Sequence, residues 1–201
     1  MEPEFAETDI PTTPIEKEEK GSFFRLLIDL LETILLSIFL FLGINAVTAR
    51  VQVDGFSMYP TLDDRSYVLV NKTSYRTELP EYGDIIVFHY PLDPEQDFIK
   101  RVIGLPGDSI EVRDGKVFLN GKVLDEPYIA APPRYVGLWV VPKNRIFVLG
   151  DNRNDSSDSH SWGAVPVENL IGKAVAVYWP PSDWKMIEHI QFNGFSDKDY
   201  Q

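Results

Sequence analysis

The stretch SIEVRDGKVFLNGKVL (residues 109–124) holds three short runs of β-favouring residues separated by two turn signals. Asp114-Gly115 and Asn120-Gly121 are dipeptides that two-residue hairpin turns prefer, because the central residues of these turns need positive φ. Isoleucine, valine and phenylalanine fill the runs between them, as in strands with one buried face. The stretch therefore predicts two consecutive β-hairpins.

Runs of the same kind continue on both sides of these hairpins, and turn residues separate them. They are SYVLVNK (66–72), DIIVFHY (84–90), FIKRVI (98–103), RIFVLGDN (145–152) and GKAVAVYW (172–179). No segment after residue 50 sustains a helical period. Residues 50–185 are therefore predicted to form one mostly-β domain of coiled antiparallel sheets or a partly open barrel, and residues 186–201 a tail to which no role is assigned.

A different pattern precedes this domain, in LLIDLLETILLSIFLFLGINAVTA (residues 26–49). Its charge-free part, residues 33–49, has 17 residues, the short end of the roughly 17–25 that span a bilayer core. Residues 22–49 are predicted to be a transmembrane anchor, with a buried core helix or a cleaved signal peptide as the alternatives. Lys17, Lys20 and Arg25 on one side against Arg50 on the other favour a cytoplasmic N-terminus.

Charge and composition exclude several classes of protein. Residues 1–21 are acidic and proline-containing, which predicts a disordered tail, and residues 1–20 carry −5 of the formal net charge of −12. An acidic chain without a basic cluster is a poor nucleic-acid binder. The chain has no cysteine, which excludes disulfides, thiolate metal sites and a cysteine nucleophile.

One proline-punctuated apolar segment, YIAAPPRYVGLWVVP (residues 128–142), does not alternate cleanly. It fits a loop that packs on the core. It also fits an exposed aromatic edge at a membrane surface, where tryptophan and tyrosine are favoured. Three tryptophans, Trp139, Trp179 and Trp184, suit either reading.

A serine follows the apolar run closely, in VDGFSMYPTL (residues 53–62), and Ser57 admits three chemistries. It could belong to a triad with His160 or another histidine, because triads are defined by geometry and not by sequence order. It could pair with Lys100, the one lysine within an apolar strand-like run, if burial lowers the pKa of that lysine enough to make it a base. It could also be a turn serine without catalytic function.

Three motifs in a fixed order distinguish these alternatives: SMYPTL (57–62), KRVIGLPGD (100–108) and GDNRNDSSDSHSWG (150–163), all after the predicted anchor. Together they resemble the type I signal peptidases, the serine-lysine proteases of family S26 that remove signal peptides from exported preproteins. The resemblance covers roughly residues 25–180. A single anchor is similar to the Gram-positive, cyanobacterial and plastid forms.

The resemblance implies roles for individual residues. Ser57 is the expected nucleophile and Lys100 its general base. Ser156 is expected to hydrogen-bond and orient the lysine, and Asp158 to be a structural acid that pairs with the residue two positions on, here His160. The other polar residues of this motif are expected to be scaffold, and its glycines, Gly150 and Gly163, to permit close backbone approach.

The resemblance also implies an oxyanion site and substrate pockets. The backbone N–H of Ser57 is the first expected oxyanion donor. Where enterobacterial members place a serine hydroxyl as the second, this chain has Gly55. The predicted pockets accept small residues at −1 and −3 of the signal peptide, with Asp97 a further candidate beside their expected lining of Val51, Val53, Met58, Leu62, Val68, Phe98 and Ile99.

The expected enzyme needs no cofactor and no metal. Its expected partners are signal-peptide-bearing preproteins and the lipid bilayer. The anchor would hold the catalytic domain on the outer or periplasmic side of the plasma membrane, with the thylakoid membrane as the alternative. Two other functions remain open from the sequence: a serine-lysine protease that processes itself or a narrow client, and an anchored β-rich binding module with a degenerate site.

Overall fold

The computed structural model describes residues 19–195, and it gives side-chain environments from residue 23 onward. The predicted disordered tail lies almost entirely outside these residues. The chain divides into two compact units, one ending at Ile44 and one beginning at Asn45. The N-terminal unit contains most of the apolar helix, and the second unit contains the sheets.

Helix α1 spans Glu19–Val47, and leucine, the commonest residue of its apolar stretch (residues 23–47), is a strong helix former. Its hydroxyls bond back to the helix, as Thr33 Oγ1 donates to the Asp29 carbonyl at 2.7 Å and Ser37 Oγ to the Thr33 carbonyl at 2.7 Å. The side chains of the apolar stretch are not buried, which contradicts the alternative of a buried core helix. The length and composition of this helix suffice to cross a membrane.

Twelve strands and one short helix follow. They are β1 Thr48–Gln52, β2 Tyr67–Asn71, β3 Ile85–Tyr90, β4 Asp93–Gly104, β5 Ser109–Arg113, β6 Lys116–Leu119, β7 Lys122–Val123, β8 Gly137–Val140, β9 Arg145–Leu149, α2 Ser159–Trp162, β10 Val165–Pro166, β11 Leu170–Trp179 and β12 Lys185–Met186. Two 3₁₀ turns, Val167–Asn169 and Pro181–Asp183, flank β11.

The strands form two antiparallel sheets. The larger has the order β1-β2-β11-β3-β4-β9-β10 with β12 added to β11, and the smaller has the order β7-β6-β5-β8. The larger sheet ends in free edges at β1 and β10, so it is not closed into a barrel. The prediction of a mostly-β domain of antiparallel sheets is confirmed.

The smaller sheet contains both predicted hairpins. Asp114 and Gly115 have φ of 51° and 70°, and Asn120 and Gly121 have φ of 50° and 80°, as two-residue hairpin turns require. The apolar side chains of β5 and β6 point inward and join a core cluster that includes residues of β3, β4 and β9. The hairpins therefore cover one side of the main core.

The proline-punctuated segment folds partly as strand β8, which the sequence did not predict. Trp139 turns inward, and its ring centroid lies 5.4 Å from that of Phe147. It is partly buried and packs against the core, so it is not part of an exposed aromatic edge. Trp179 and Trp184 are exposed.

The segment after β12, to which the sequence assigned no role, packs onto the main core. Phe192 is 2% exposed, and its ring stacks with those of Tyr82 at 6.2 Å and Tyr128 at 6.5 Å. The carbonyl of Ile190 lies so close to Gly83 that a side chain at this glycine would clash with backbone. The segment therefore contributes to the hydrophobic core.

Phe192→Ala should lower the free energy of unfolding by about 3 kcal/mol, because it removes a fully buried aromatic ring and leaves a cavity. Trp184→Ala is the matched control, since this large aromatic lies in the same region but is 65% exposed, and it should change stability by no more than about 0.5 kcal/mol. Urea titration of the full chain in detergent, followed by circular dichroism, measures both values. Equal values would mean that the segment is not part of the folded core.

Candidate active site

Ser57 lies in a tight turn just after β1. The amide of Tyr59 donates to the carbonyl of Phe56 at 3.1 Å, and the amide of Leu62 donates to the carbonyl of Met58 at 2.9 Å. Met58 and Leu62 are fully buried, so their side chains fix the turn to the core beneath it. This packing leaves the Ser57 side chain on the surface of a cleft.

Lys100 approaches Ser57 from strand β4. Its side chain is within the fold, with the residue 4% exposed. The ammonium nitrogen Nζ donates to Ser57 Oγ at 2.7 Å and to the carbonyl of Ile99 at 2.9 Å. The structure thus brings together the predicted nucleophile and the predicted base, which are 43 positions apart in the sequence.

Burial changes the basicity of this lysine. Desolvation lowers the pKa of Lys100 from 10.5 to about 8, against the opposing effect of the Asp158 and Asp151 carboxylates. An amine with a pKa of about 8 is neutral in roughly one molecule in ten at pH 7 and in half of the molecules at pH 8. Lys100 can therefore accept a proton from the serine hydroxyl to which it is hydrogen-bonded.

The three histidines do not contact Ser57. His89 Nδ1 lies 2.8 Å from Asp97 Oδ1, His160 Nδ1 lies 2.6 Å from Asp158 Oδ1, and His189 Nδ1 lies 3.0 Å from Asp84 Oδ1. Each ring is oriented by a carboxylate. Within residues 23–195, Ser57 Oγ is hydrogen-bonded to Lys100 alone among the side chains, so the geometry does not support a serine-histidine triad.

Ser156 packs behind the nucleophile, next to Gly150. A side chain at Gly150 would overlap both the Ser156 hydroxyl and the Ser57 carbonyl, so this glycine permits the close approach that was predicted. The Ser156 Oγ is buried and, among the described residues, has no hydrogen-bond partner. The expected bond from Ser156 to Lys100 is not formed in this arrangement, and the orienting role of Ser156 stays a prediction.

Asp158 organises the loop that carries Ser156. Its Oδ2 accepts a hydrogen bond from the Gly150 amide at 2.9 Å, and its Oδ1 contacts both the His160 ring and the His160 amide. The His160 ring in turn stacks on Tyr135, with centroids 4.1 Å apart. The expected acid pair is therefore present with histidine in the basic position. Gly163 ends helix α2 at φ 95° with no neighbour close by, so it serves backbone conformation and not close approach.

A buried ion pair joins the three motifs behind the site. Arg101 Nε and an Nη donate to the two Asp151 oxygens at 2.8 and 2.7 Å, and another Nη donates to the Gly83 carbonyl at 2.8 Å. Thr61 donates to the same Asp151 carboxylate. Asp151 was predicted as loop scaffold, but no sequence pattern indicated that Arg101 would be its fully buried partner.

The candidate oxyanion site has one free donor. The Ser57 backbone N–H makes no hydrogen bond within the described part of the chain. The Ser57 carbonyl, in contrast, accepts a hydrogen bond from the backbone N–H of Asn152 at 3.0 Å. The Gly55 N–H is occupied, since it donates to Asp64 Oδ1 at 2.8 Å. Gly55 has φ 86°, a conformation that a serine would adopt only with strain. Gly55 therefore supplies neither a hydroxyl nor a free amide.

A cleft of about 400 Å³ contains the Ser57 and Lys100 side chains. Among the predicted pocket residues, Val51, Phe98 and Ile99 line it, and so does Asp97. The other four predicted pocket residues do not line it but belong to a hydrophobic cluster under the site: Val53, Met58, Leu62 and Val68. Ile99 belongs to the same cluster, so these four residues lie directly beneath the cleft wall, and their role in a substrate pocket stays a prediction.

Among the described residues, one group of side chains has ligands that could suit a metal ion: Glu81, Asp84 and His189. The Asp84 carboxylate already accepts a hydrogen bond from Tyr75 at 2.9 Å and pairs with Lys173 Nζ at 2.5 Å. A lysine ammonium thus compensates this buried acid. The group connects the tail at His189 to the turn before β3.

Comparison with known proteins finds a matching family model and several similar sequences. Residues 27–179 match the family model described as signal peptidase, peptidase S26. The chain is similar to a probable signal peptidase I-2 of Synechocystis, with 45% identity over 76% of this chain and 73% of that protein. It is also similar to a signal peptidase I of Leptolyngbya laminosa, with 46% identity over 85% and 87%. A thylakoidal processing peptidase 1 of Arabidopsis thaliana is 42% identical over 69% of this chain and 44% of that protein.

Proposed function

The chain belongs to the signal peptidase family, peptidase S26, and on that premise we propose that it removes N-terminal signal peptides from exported preproteins, with Ser57 as nucleophile and Lys100 as general base. The observation that carries the proposal is the 2.7 Å hydrogen bond between Lys100 Nζ and Ser57 Oγ at a buried lysine. The chain is accordingly a serine protease, a hydrolase of peptide bonds.

Acylation begins with neutral Lys100. Its Nζ takes the proton of the Ser57 hydroxyl while Oγ attacks the scissile carbonyl carbon, and the carbonyl electron pair moves to the oxygen. The backbone N–H of Ser57 stabilises this oxyanion, a kind of contact typically worth about 10²–10³ in rate. When the intermediate collapses, the C–N bond breaks and the leaving amine takes the proton from the Lys100 ammonium.

Deacylation repeats these steps with water. Lys100, again neutral, takes a proton from a water molecule that attacks the acyl-enzyme, and then returns a proton to Ser57 Oγ as the ester bond breaks. One base thus serves both half-reactions without a net change in protons on the enzyme. The polar loop behind the site, residues 150–158, keeps the Ser57 backbone in place through Asn152 and Gly150.

The cleft suits a substrate with small side chains next to the scissile bond. Its lining includes the bulky apolar side chains of Val51, Phe98 and Ile99, which can exclude large residues by sterics. Because β1 is an edge strand of the larger sheet, an extended preprotein segment can add its own backbone hydrogen bonds there. These features support cleavage after small residues at −1 and −3.

The apolar helix supports a membrane-anchored enzyme. We place the N-terminus on the cytoplasmic side and the sheets on the outer side of the plasma membrane, or in the thylakoid lumen, because signal peptides are cut where they leave the bilayer. An anchor keeps the enzyme at the surface from which its substrate emerges and so raises its effective concentration.

Incubation of the full chain in detergent with an exported preprotein tests this function. We expect release of the signal peptide at one site, identified by the mass of the mature product, and loss of cleavage when alanine at −1 is replaced with phenylalanine. The intact mass of the enzyme should stay constant in the same reaction, which separates this function from self-processing. Failure to cleave, or cleavage that ignores the −1 residue, would overturn the proposal.

A further inference from the structure

Phe98 of the cleft wall is part of an aromatic cluster. The Tyr90 ring stacks on it with centroids 4.4 Å apart and an interplanar angle of 12°. Phe88, its cross-strand partner in the β3–β4 pair, meets it edge-on at 6.4 Å. The Trp162 ring lies 5.5 Å from Tyr90 in a T-shaped arrangement and 6.2 Å from Phe88. The Phe98 ring is thus contacted on more than one side.

Phe98 also faces the catalytic centre. It lines the cleft together with Ser57 and Lys100, and Lys100 Nζ lies 5.3 Å from the centroid of its ring. Any rotation or retreat of this ring would therefore widen the cleft beside the candidate nucleophile. The aromatic cluster limits such movement, because the Tyr90 ring covers one face of the Phe98 ring.

Trp162 supports Tyr90 from a different part of the chain. It is the last residue of helix α2, whose first turn is capped by the Asp158 side chain. Its indole Nε1 is buried without a hydrogen-bond partner among the described residues, so packing alone holds this ring. The helix therefore connects the polar loop behind Ser57 to the aromatic cluster behind Phe98.

We infer that Tyr90 and Trp162 are positioning residues for specificity: they fix the Phe98 ring and so limit the size of the side chain that the cleft accepts beside the scissile bond. The inference rests on the proposed function, since it concerns which preproteins are cut. Neither residue needs to touch substrate. Their effect is transmitted through Phe98, which does face the cleft.

The decisive measurement is a selectivity ratio: kcat/KM for a preprotein with alanine at −1 divided by kcat/KM for the same preprotein with valine there. In Tyr90→Leu and in Trp162→Leu we expect this ratio to fall about three- to tenfold, which is the range that loss of an aromatic pair accounts for. Tyr90→Phe keeps the ring and should keep the wild-type ratio. Both substrates meet the same enzyme preparation, so the ratio does not depend on how much protein is folded.

Trp139→Leu is the control for general loss of aromatic packing. Trp139 packs on Phe147 in the other sheet, and its replacement should leave the ratio unchanged. A wild-type ratio in Tyr90→Leu or in Trp162→Leu would overturn the inference, and either variant suffices if the other does not fold. An equal fall in the Trp139 variant would overturn it as well. If the wild-type chain cuts neither preprotein, the proposed function fails instead.

Discussion

Lys100→Met should reduce kcat for signal-peptide release by about 10³-fold or more, because the variant keeps the size and packing of the buried side chain but cannot accept a proton. Lys100→Arg should be equally inactive, since a guanidinium does not deprotonate in proteins. Ser57→Ala should match both, and the Ser57→Ala/Lys100→Met double variant should be no worse than either single one, as expected for residues that act in one step.

The control for Lys100 is a lysine outside the cleft. Lys116 is exposed on β6, and Lys116→Met should cleave preprotein at the wild-type rate. Product masses from single-time-point and progress-curve assays give the rates. Retention of more than a few per cent of activity by Lys100→Met would mean that another group takes the serine proton.

The pH dependence provides a second test of the same lysine. With the pKa of Lys100 lowered to about 8 by burial, the neutral base becomes more abundant as pH rises. The value of kcat/KM should therefore increase about tenfold per pH unit below pH 7 and level off above pH 9. A histidine base, with an ordinary pKa of about 6.5, would level off near neutrality. An acidic optimum would contradict a lysine base.

Local signals made much of the fold predictable. The Asp-Gly and Asn-Gly turns determine their own backbone conformation, so both hairpins of the smaller sheet could be identified without knowing the rest of the structure. The apolar helix could be identified because its length and composition by themselves suffice to cross a membrane. The pairing of Ser57 with Lys100 was inferred from the order of three motifs, because no local rule brings together residues that are 43 positions apart.

The environments that the sequence did not reveal depend on long-range packing. Met58 and Leu62 were expected in the substrate pocket from their positions in the motif, and only the structure shows that both also pack in the core under the site. Strand alternation places Arg101 on the face opposite Lys100, but it does not reveal that this end of β4 is buried on both faces. Phe192 lies in a segment without a secondary-structure pattern, and only the tertiary fold shows the aromatic pocket that it fills.

The buried ion pair behind the site should have the largest effect on stability. Arg101 and Asp151 are both 0% exposed, and Asp151→Ala would leave a guanidinium buried without a counter-charge. We expect the free energy of unfolding to fall by about 3–5 kcal/mol. The remaining partners of Arg101 are uncharged and do not neutralise it: the Gly83 carbonyl, the Thr61 hydroxyl and the Tyr128 ring at 4.2 Å.

An exposed ion pair is the matched control. Arg113 Nε lies 2.9 Å from Glu111 Oε1 on the outer face of the smaller sheet, with both side chains partly in solvent. Glu111→Ala should therefore cost no more than about 1 kcal/mol. Urea titration of both variants in detergent compares the two costs directly.

A double variant separates two effects of Asp151→Ala: the loss of the ionic attraction and the burial of an unpaired charge on Arg101. Arg101→Met/Asp151→Leu removes both charges and fills similar volume, so it should be more stable than Asp151→Ala alone, because hydrophobic replacement of a buried pair removes the desolvation cost of each ion. If the double variant loses as much free energy of unfolding as the two single variants lose together, the two residues act independently and not as a pair. Because Arg101 is the neighbour of Lys100 in β4 and Asp151 follows Gly150, a double variant that folds but cleaves slowly would show that the pair also holds the base against Ser57.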